Sequence, residues 1–156
     1  MKRLRIFRDF TNLKIEKISK EEYEKERQKR WGMGFTYIDV GKILEFKKNL
    51  PKGYKLSYGV GQEDGTADFF SCEYESVSSD GNLNTKFSVR RITDIVTPFY
   101  VMYYREEYWL PFNAPNKDKF QGYNRESFYR FEEHDFEVMC KNPQLLLDYL
   151  DKEIGL

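Results

Sequence analysis

The strongest constraint on the fold is a pair of alternating runs joined by a tight turn signal. In Thr66 to Val77, Phe70, Cys72 and Tyr74 alternate with Ser71, Glu73 and Glu75. A period of two places the apolar set on one side of a pleated strand and the polar set on the other. Leu83 to Ile92 returns in the same manner, with Phe87, Val89 and Arg91 on one side. Between them stands Ser79-Asp80-Gly81-Asn82, and Asp-Gly tolerates the positive φ angles of a type I′ hairpin. Strands joined this tightly pair antiparallel, with one face covered and the other wet.

Neighbouring segments extend the pattern. Tyr54 to Val60 reads as a strand, with Pro51-Lys52-Gly53 as the turn before it and Gly61 to Gly65 after it. Phe35 to Val40 alternates as well. From Asp94 to Tyr104 the chain is almost unbroken apolar, which fits a central strand covered on both faces, entered at Pro98. Tyr108 to Phe112, Ser127 to Phe131 and Phe136 to Cys140 are expected as further strands. Residues 3–18 are expected to form two short strands around Thr11-Asn12. Lys42 to Leu50 fits a short helix or a strand, with Ile43 and Leu50 one heptad apart.

Two helices are better marked. Ser19 and Glu22 form a capping box, and Ile18 and Tyr23 hold the positions of a hydrophobic staple. That helix is expected to run to about Trp31 and stop at Gly32. Its interior is nearly all charged, with Glu21–Lys25 and Glu26–Arg30 at the favourable i,i+4 spacing. It belongs on the surface and touches the body through Tyr23 and Trp31. Asn142-Pro143 opens the second helix as N-cap and N1. There Leu146, Leu147, Leu150 and Ile154 form a stripe that docks on the core. The fold expected is α+β in one domain over residues 1–156. It is a mostly antiparallel, twisted sheet of about six to eight strands, with an N-terminal surface helix and a C-terminal helix packed on the sheet.

Charge narrows the partners. Lys and Arg number 26, as do Asp and Glu, so the 156-residue chain has no net charge. Non-specific nucleic-acid affinity needs an excess of cations, which leaves a polyanion binder as the lesser expectation. A sheet-borne single-strand binder would use Arg90 and Arg91 beside the Tyr100–Tyr104 aromatics. Their alternative role is pairing with Glu73 and Glu75. No run approaches the length of a membrane span, and Arg5, Arg8 and Asp9 interrupt any apolar leader. The expectation is a soluble cytoplasmic protein, no membrane partner, and free buried thiols at Cys72 and Cys140.

Reactive side chains are sparse. His134 is the only histidine, which excludes sites needing two imidazoles. It falls in Glu132-Glu133-His134-Asp135, read as a polar turn between strands. A small hydrolase centred on His134, with a flanking carboxylate or a cysteine, is one alternative. Asp39, Glu45 and Lys47 lack the hairpin that a metal-dependent nuclease would place between its acids. Glu63, Asp64 and Asp68 lack calcium-loop spacing. Gly59, Gly61 and Gly65 miss the phosphate-loop pattern and open no helix. No catalytic residue, metal ligand or cofactor is assigned.

What stands out is the aromatic share, 17% of the chain, with 12 Tyr, 13 Phe and 2 Trp. Tyr, Trp and Arg are the residues enriched at protein interfaces. Tyr104, Arg105, Tyr108, Trp109 and Phe112 lead into an Asn- and Pro-containing loop at 113–124, and Trp31 closes the first helix. These six are the expected partner-binding residues, although large aromatics are mostly buried and part of the set is expected in the core. The functional expectation is a non-enzymatic protein-binding module. Its likeness of type, carried by no motif, is to bacterial inhibitor or immunity proteins that neutralise a partner toxin or enzyme.

Overall fold

A computed structural model describes residues 13–32, 37–61, 64–78, 81–93, 98–110 and 122–154. Among them run strands β1 (Ile15–Ile18), β2 (Ile38–Asp39), β3 (Tyr54–Val60), β4 (Thr66–Val77), β5 (Asn82–Thr93), β6 (Pro98–Trp109) and β7 (Gly122–Glu132). The helices are α1 (Lys20–Gly32), α2 (Val40–Asn49), α3 (Glu133–Lys141) and α4 (Gln144–Ile154). All strands pair antiparallel in one seven-stranded sheet, ordered β1-β7-β6-β5-β4-β2, with β3 also on β4. The fold is α+β, as the alternation predicts.

The hairpin at residues 78–82 sets the register of the long strands. Val77 lies opposite Asn82, and Phe70 opposite Val89. Asn82 in turn faces Trp109, and Phe87 faces Tyr104. Directly opposed residues point to the same side, so the sheet sorts its side chains into two faces. On the helical face, Phe70, Cys72, Phe87, Val89, Tyr100, Met102, Tyr104, Tyr129 and Phe131 join buried residues of α2, α3 and α4 in one core. Tyr100 stacks between Phe131 (centroids 5.5 Å apart) and Phe136 (4.3 Å). On the opposite face a smaller core gathers Ile18, Tyr23, Ile92, Phe99, Val101 and Phe128 under α1. Phe99 to Met102 thus belongs to both cores by turns, as expected of a central strand.

The α1 cap forms as the sequence indicates. Glu22 N donates to Ser19 Oγ at 3.1 Å, and Ile18 and Tyr23 are both buried. Glu26 is buried, with Oε2 3.3 Å from Arg130 Nη1, while the side chain of Arg30, its expected i,i+4 partner, lies outside the described residues. The Arg130 guanidinium also lies over the Phe99 ring at 3.8 Å, pinning α1 to the sheet.

Three expectations change. Phe136 to Cys140 is a helix, α3, because Phe136, Met139 and Cys140 bury at i, i+3, i+4 spacing, and Glu132 N donates to Asp135 Oδ2 at 3.2 Å across the first turn. The run from Phe35 keeps only Ile38–Asp39 as strand within the described residues. Asp39 ends it by accepting from Lys42 N at 3.3 Å, which resolves 42–49 as helix. Tyr108 is not the start of a separate strand, since β6 runs unbroken from Pro98 to Trp109. The strand around Leu4 and Ile6 lies outside the described residues, as does most of the 113–124 loop; Gly122 to Asn124 belong to β7.

Candidate functional site: the open end of the sheet

Alternation along β6 separates the residues that sequence reading grouped. Tyr104 and Tyr108 share the helical face; Arg105 and Trp109 share the opposite one. Tyr104 is 5% exposed and part of the main core, whereas Trp109 is 38% exposed. Phe112 and the side chain of Trp31 lie outside the described residues.

On the face that α1 covers at one end, no described helix packs over the other end, although Asn84 there is only 7% exposed. Three rows cross β4, β5, β6 and β7 there, read from the strand register. The outermost is Val77, Asn82, Trp109 and Gly122. The next is Glu75, Asn84, Glu107 and Asn124, and the third Glu73, Lys86, Arg105 and Glu126. Val77 is 70% exposed, so it and Trp109 form an apolar margin. Behind that margin the polar groups hold one another. Asn84 Nδ2 donates to Glu73 Oε2 at 3.0 Å, Arg105 Nε lies 2.9 Å from Glu107 Oε1, and Tyr103 Oη donates to Glu126 Oε2 at 2.6 Å. The Tyr103 hydroxyl is pushed up to about 12 by burial and by that carboxylate.

The helical face at the same end is built differently. Tyr108 stacks on Tyr123 with centroids 5.4 Å apart and planes 11° from parallel. Arg125 lies over Tyr123 at 4.6 Å and reaches Glu106 Oε1 with Nη2 at 2.9 Å. Glu106 is wholly buried, and its Oε2 has no hydrogen-bond partner. A buried carboxylate is costly unless paired and hydrogen-bonded, so half of this one is left uncompensated. The glycines at φ +118° (Gly122) and +158° (Gly81) admit the Tyr108 backbone and ring; a Cβ at Gly122 would meet the Tyr108 carbonyl oxygen.

Sequence reading missed Val77, Glu106, Tyr123 and Arg125. For Glu106 a signal exists: it has the parity of Tyr100, Met102 and Tyr104, an acid on the core side of a long strand. For Val77 the sequence misleads: a two-residue turn at Asp80-Gly81 would set Val77 opposite Asn84, whereas Ser78 and Gly81 exchange backbone hydrogen bonds, which moves the register by two and sets Val77 opposite Asn82.

The groups considered for catalysis are otherwise engaged. His134 is exposed on the first turn of α3. Of its neighbours, Glu133 lies 3.3 Å from Lys42 Nζ and 3.4 Å from Arg91 Nε, and Asp135 Oδ1 accepts from Lys14 N at 2.9 Å. Cys72 and Cys140 are free and buried, Cys140 on α3 rather than on a strand. Burial pushes both thiols up, Cys140 to about 12, away from the thiolate a nucleophile needs. Among the described residues no group of three His, Cys, Asp or Glu side chains is placed to hold a metal ion. Arg91 turns to Glu133 on the helical face, away from Glu73 and Glu75, and Arg90 lies over the Phe69 ring at 4.7 Å. No described helix is long and apolar enough to cross a membrane.

Comparison with known family models, with curated protein sequences and with solved structures finds no match. The class is therefore stated from the architecture alone: an α+β protein with a seven-stranded antiparallel sheet, one face under three helices and the other half-covered by one.

Proposed function

We propose that this chain is a protein-binding module that contacts its partner through the open sheet end, with Trp109 and Val77 as anchors and the two polar rows as the rim. The observation that carries this reading is the exposed Val77–Trp109 margin, lying beside charges already ordered by one another. An apolar centre with a polar surround is how stable interfaces are organised, and Trp is among the residues that dominate their energetics. Preordered side chains lose less entropy on binding.

The charge on these rows suggests the partner. Glu73, Glu75, Glu107 and Glu126 stand against Lys86 and Arg105, an acidic surplus on a chain with no net charge. A basic protein surface complements it, and such complementarity speeds encounter. An inhibitor or immunity-type role, in which this face covers the basic cleft of an enzyme, is the finer form of the proposal.

The test compares the wild-type chain with a Trp109→Ala, Val77→Asp double variant as bait in the host's lysate. A protein retained by the wild type should be lost from the variant, and the purified pair should co-elute as a complex. A stable one buries roughly 1,200–2,000 Å². Identical capture by both baits, or none by either, removes the reading.

A further inference from the structure

On the helical face, between α4 and strands β3 to β6, lies a cavity of about 140 Å³. Tyr54, Tyr74, Tyr104, Thr85 and Asp151 contribute its polar wall, and Leu147 and Leu150 of α4 help close its apolar side. The Tyr54 and Tyr74 rings pack at 5.0 Å. Glu106 stands directly across the β5–β6 pair from Thr85, buried, with one carboxylate oxygen lacking a hydrogen-bond partner.

We infer that this cavity is a binding site for a small organic cation, an alkylammonium group held against the tyrosine rings and balanced by Asp151 in the cavity lining, with Glu106 behind the lining adding negative potential. Three observations converge on that chemistry. Tyrosine faces attract ammonium groups through the ring quadrupole, and aromatic cages are the recurrent solution for alkylated ones. The charged side chains acting on the Tyr54 and Tyr104 hydroxyls are acidic, Asp151 for the first and Glu106 with Asp151 for the second. Arg125 engages only one of the two Glu106 oxygens. The size also agrees, since cavities of roughly 150 Å³ admit a molecule such as benzene, which is comparable in bulk with tetramethylammonium.

Asp151 is exposed on α4 and its side chain helps line the cavity. Partial burial, then the charges of Asp148 and Glu106, hold its carboxyl above the usual range. A cation in the cavity would relieve that repulsion. The site is independent of the strand-end margin, which lies on the other side of the sheet.

The experiment titrates the full chain with tetramethylammonium chloride, and separately with tert-butanol as its neutral counterpart and sodium chloride as the salt control. Calorimetry and the NMR shifts of Thr85, Leu147 and Leu150 methyls are the readouts. Tetramethylammonium should bind with a Kd of about 1 mM or tighter, shift those methyls and raise Tm. Asp151→Asn, a change at an exposed position that leaves the fold intact, should weaken it about tenfold, and Tyr54→Leu similarly. Equal binding of tert-butanol would reduce the cavity to an apolar hole and overturn the proposal. So would absence of methyl shifts, or affinity unchanged in both variants.

Discussion

The two halves of β6 are made of similar residues and behave differently. Phe99, Tyr100, Val101 and Met102 are each no more than 2% exposed, sealed by helices on one side and by α1 on the other. From Arg105 to Trp109 the strand keeps a partner on each edge, but no described helix covers its α1-side face. Aromatic content therefore does not decide whether a strand is core or surface; the element packed above it does. In the first half the rings stabilise the fold. In the second they are fixed by Gly81, Gly122, Arg125 and Tyr123 and remain partly available.

The sharpest test of that contrast is Phe136→Ala. The ring is wholly buried and stacks on Tyr100 at 4.3 Å, so its loss leaves a cavity at the sealed half. Urea denaturation should show a loss of roughly 3–5 kcal/mol. A loss below about 1 kcal/mol would mean that the first half is no better packed than the second.

Alkaline pH probes the same half through its protons. Cys140 is pushed up to about 12 from an ordinary 9.0 by burial, and burial raises Tyr100 and Tyr104 in the same direction. A raised pKa in the folded chain means that the unfolded chain releases the proton first. Stability is therefore fully present below about pH 9 and is lost as pH rises through about 12. Tyrosine absorbance at alkaline pH should change in step with loss of circular dichroism, and neither cysteine should react with Ellman's reagent before unfolding. Prompt reaction of Cys140 at pH 8 would contradict its burial.

Gly122→Ala tests how the second half is held. The φ of +118° suits glycine, and a Cβ would also meet the Tyr108 carbonyl oxygen and lie 2.9 Å from the Trp109 Cα. The expected cost is about 1–3 kcal/mol by denaturation, with reduced partner capture because Trp109 shifts. Unchanged stability would show that β6 and β7 do not meet as closely there.

The sequence made the alternating hairpins, the α1 cap and the Leu146–Leu150 stripe legible because each is local: a period, a cap and a turn lie within a few residues. It misread Phe136 to Cys140 because a short apolar run fits both periods, and only the burial of Phe136, Met139 and Cys140 together in the main core decides between them. The site was half legible for a related reason. Trp109 and Arg105 were identified by residue type, but the row joining Trp109 to Val77 crosses three strands, and cross-strand neighbours follow from register rather than from proximity in the chain. Tyr104 and Trp109 are five residues apart, an odd number, so a continuous strand must send them to opposite faces. That much was available from parity once β6 is taken as unbroken.

The smallest expected effect is the most discriminating for the surface. Val77→Ser removes an apolar side chain that is 70% exposed, at the margin of the open face. If the second half of β6 faces solvent in the free protein, little contact is lost and stability should change by no more than about 0.5 kcal/mol. The denaturant slope should also stay the same, since the surface exposed on unfolding hardly changes. Partner affinity should nevertheless fall, because an anchor at the margin is desolvated only in the complex. A stability loss above about 1.5 kcal/mol would place Val77 against Trp109 as a third packed cluster rather than an open margin. The two halves of β6 would then differ in degree only, and the docking surface would have to lie elsewhere on the sheet.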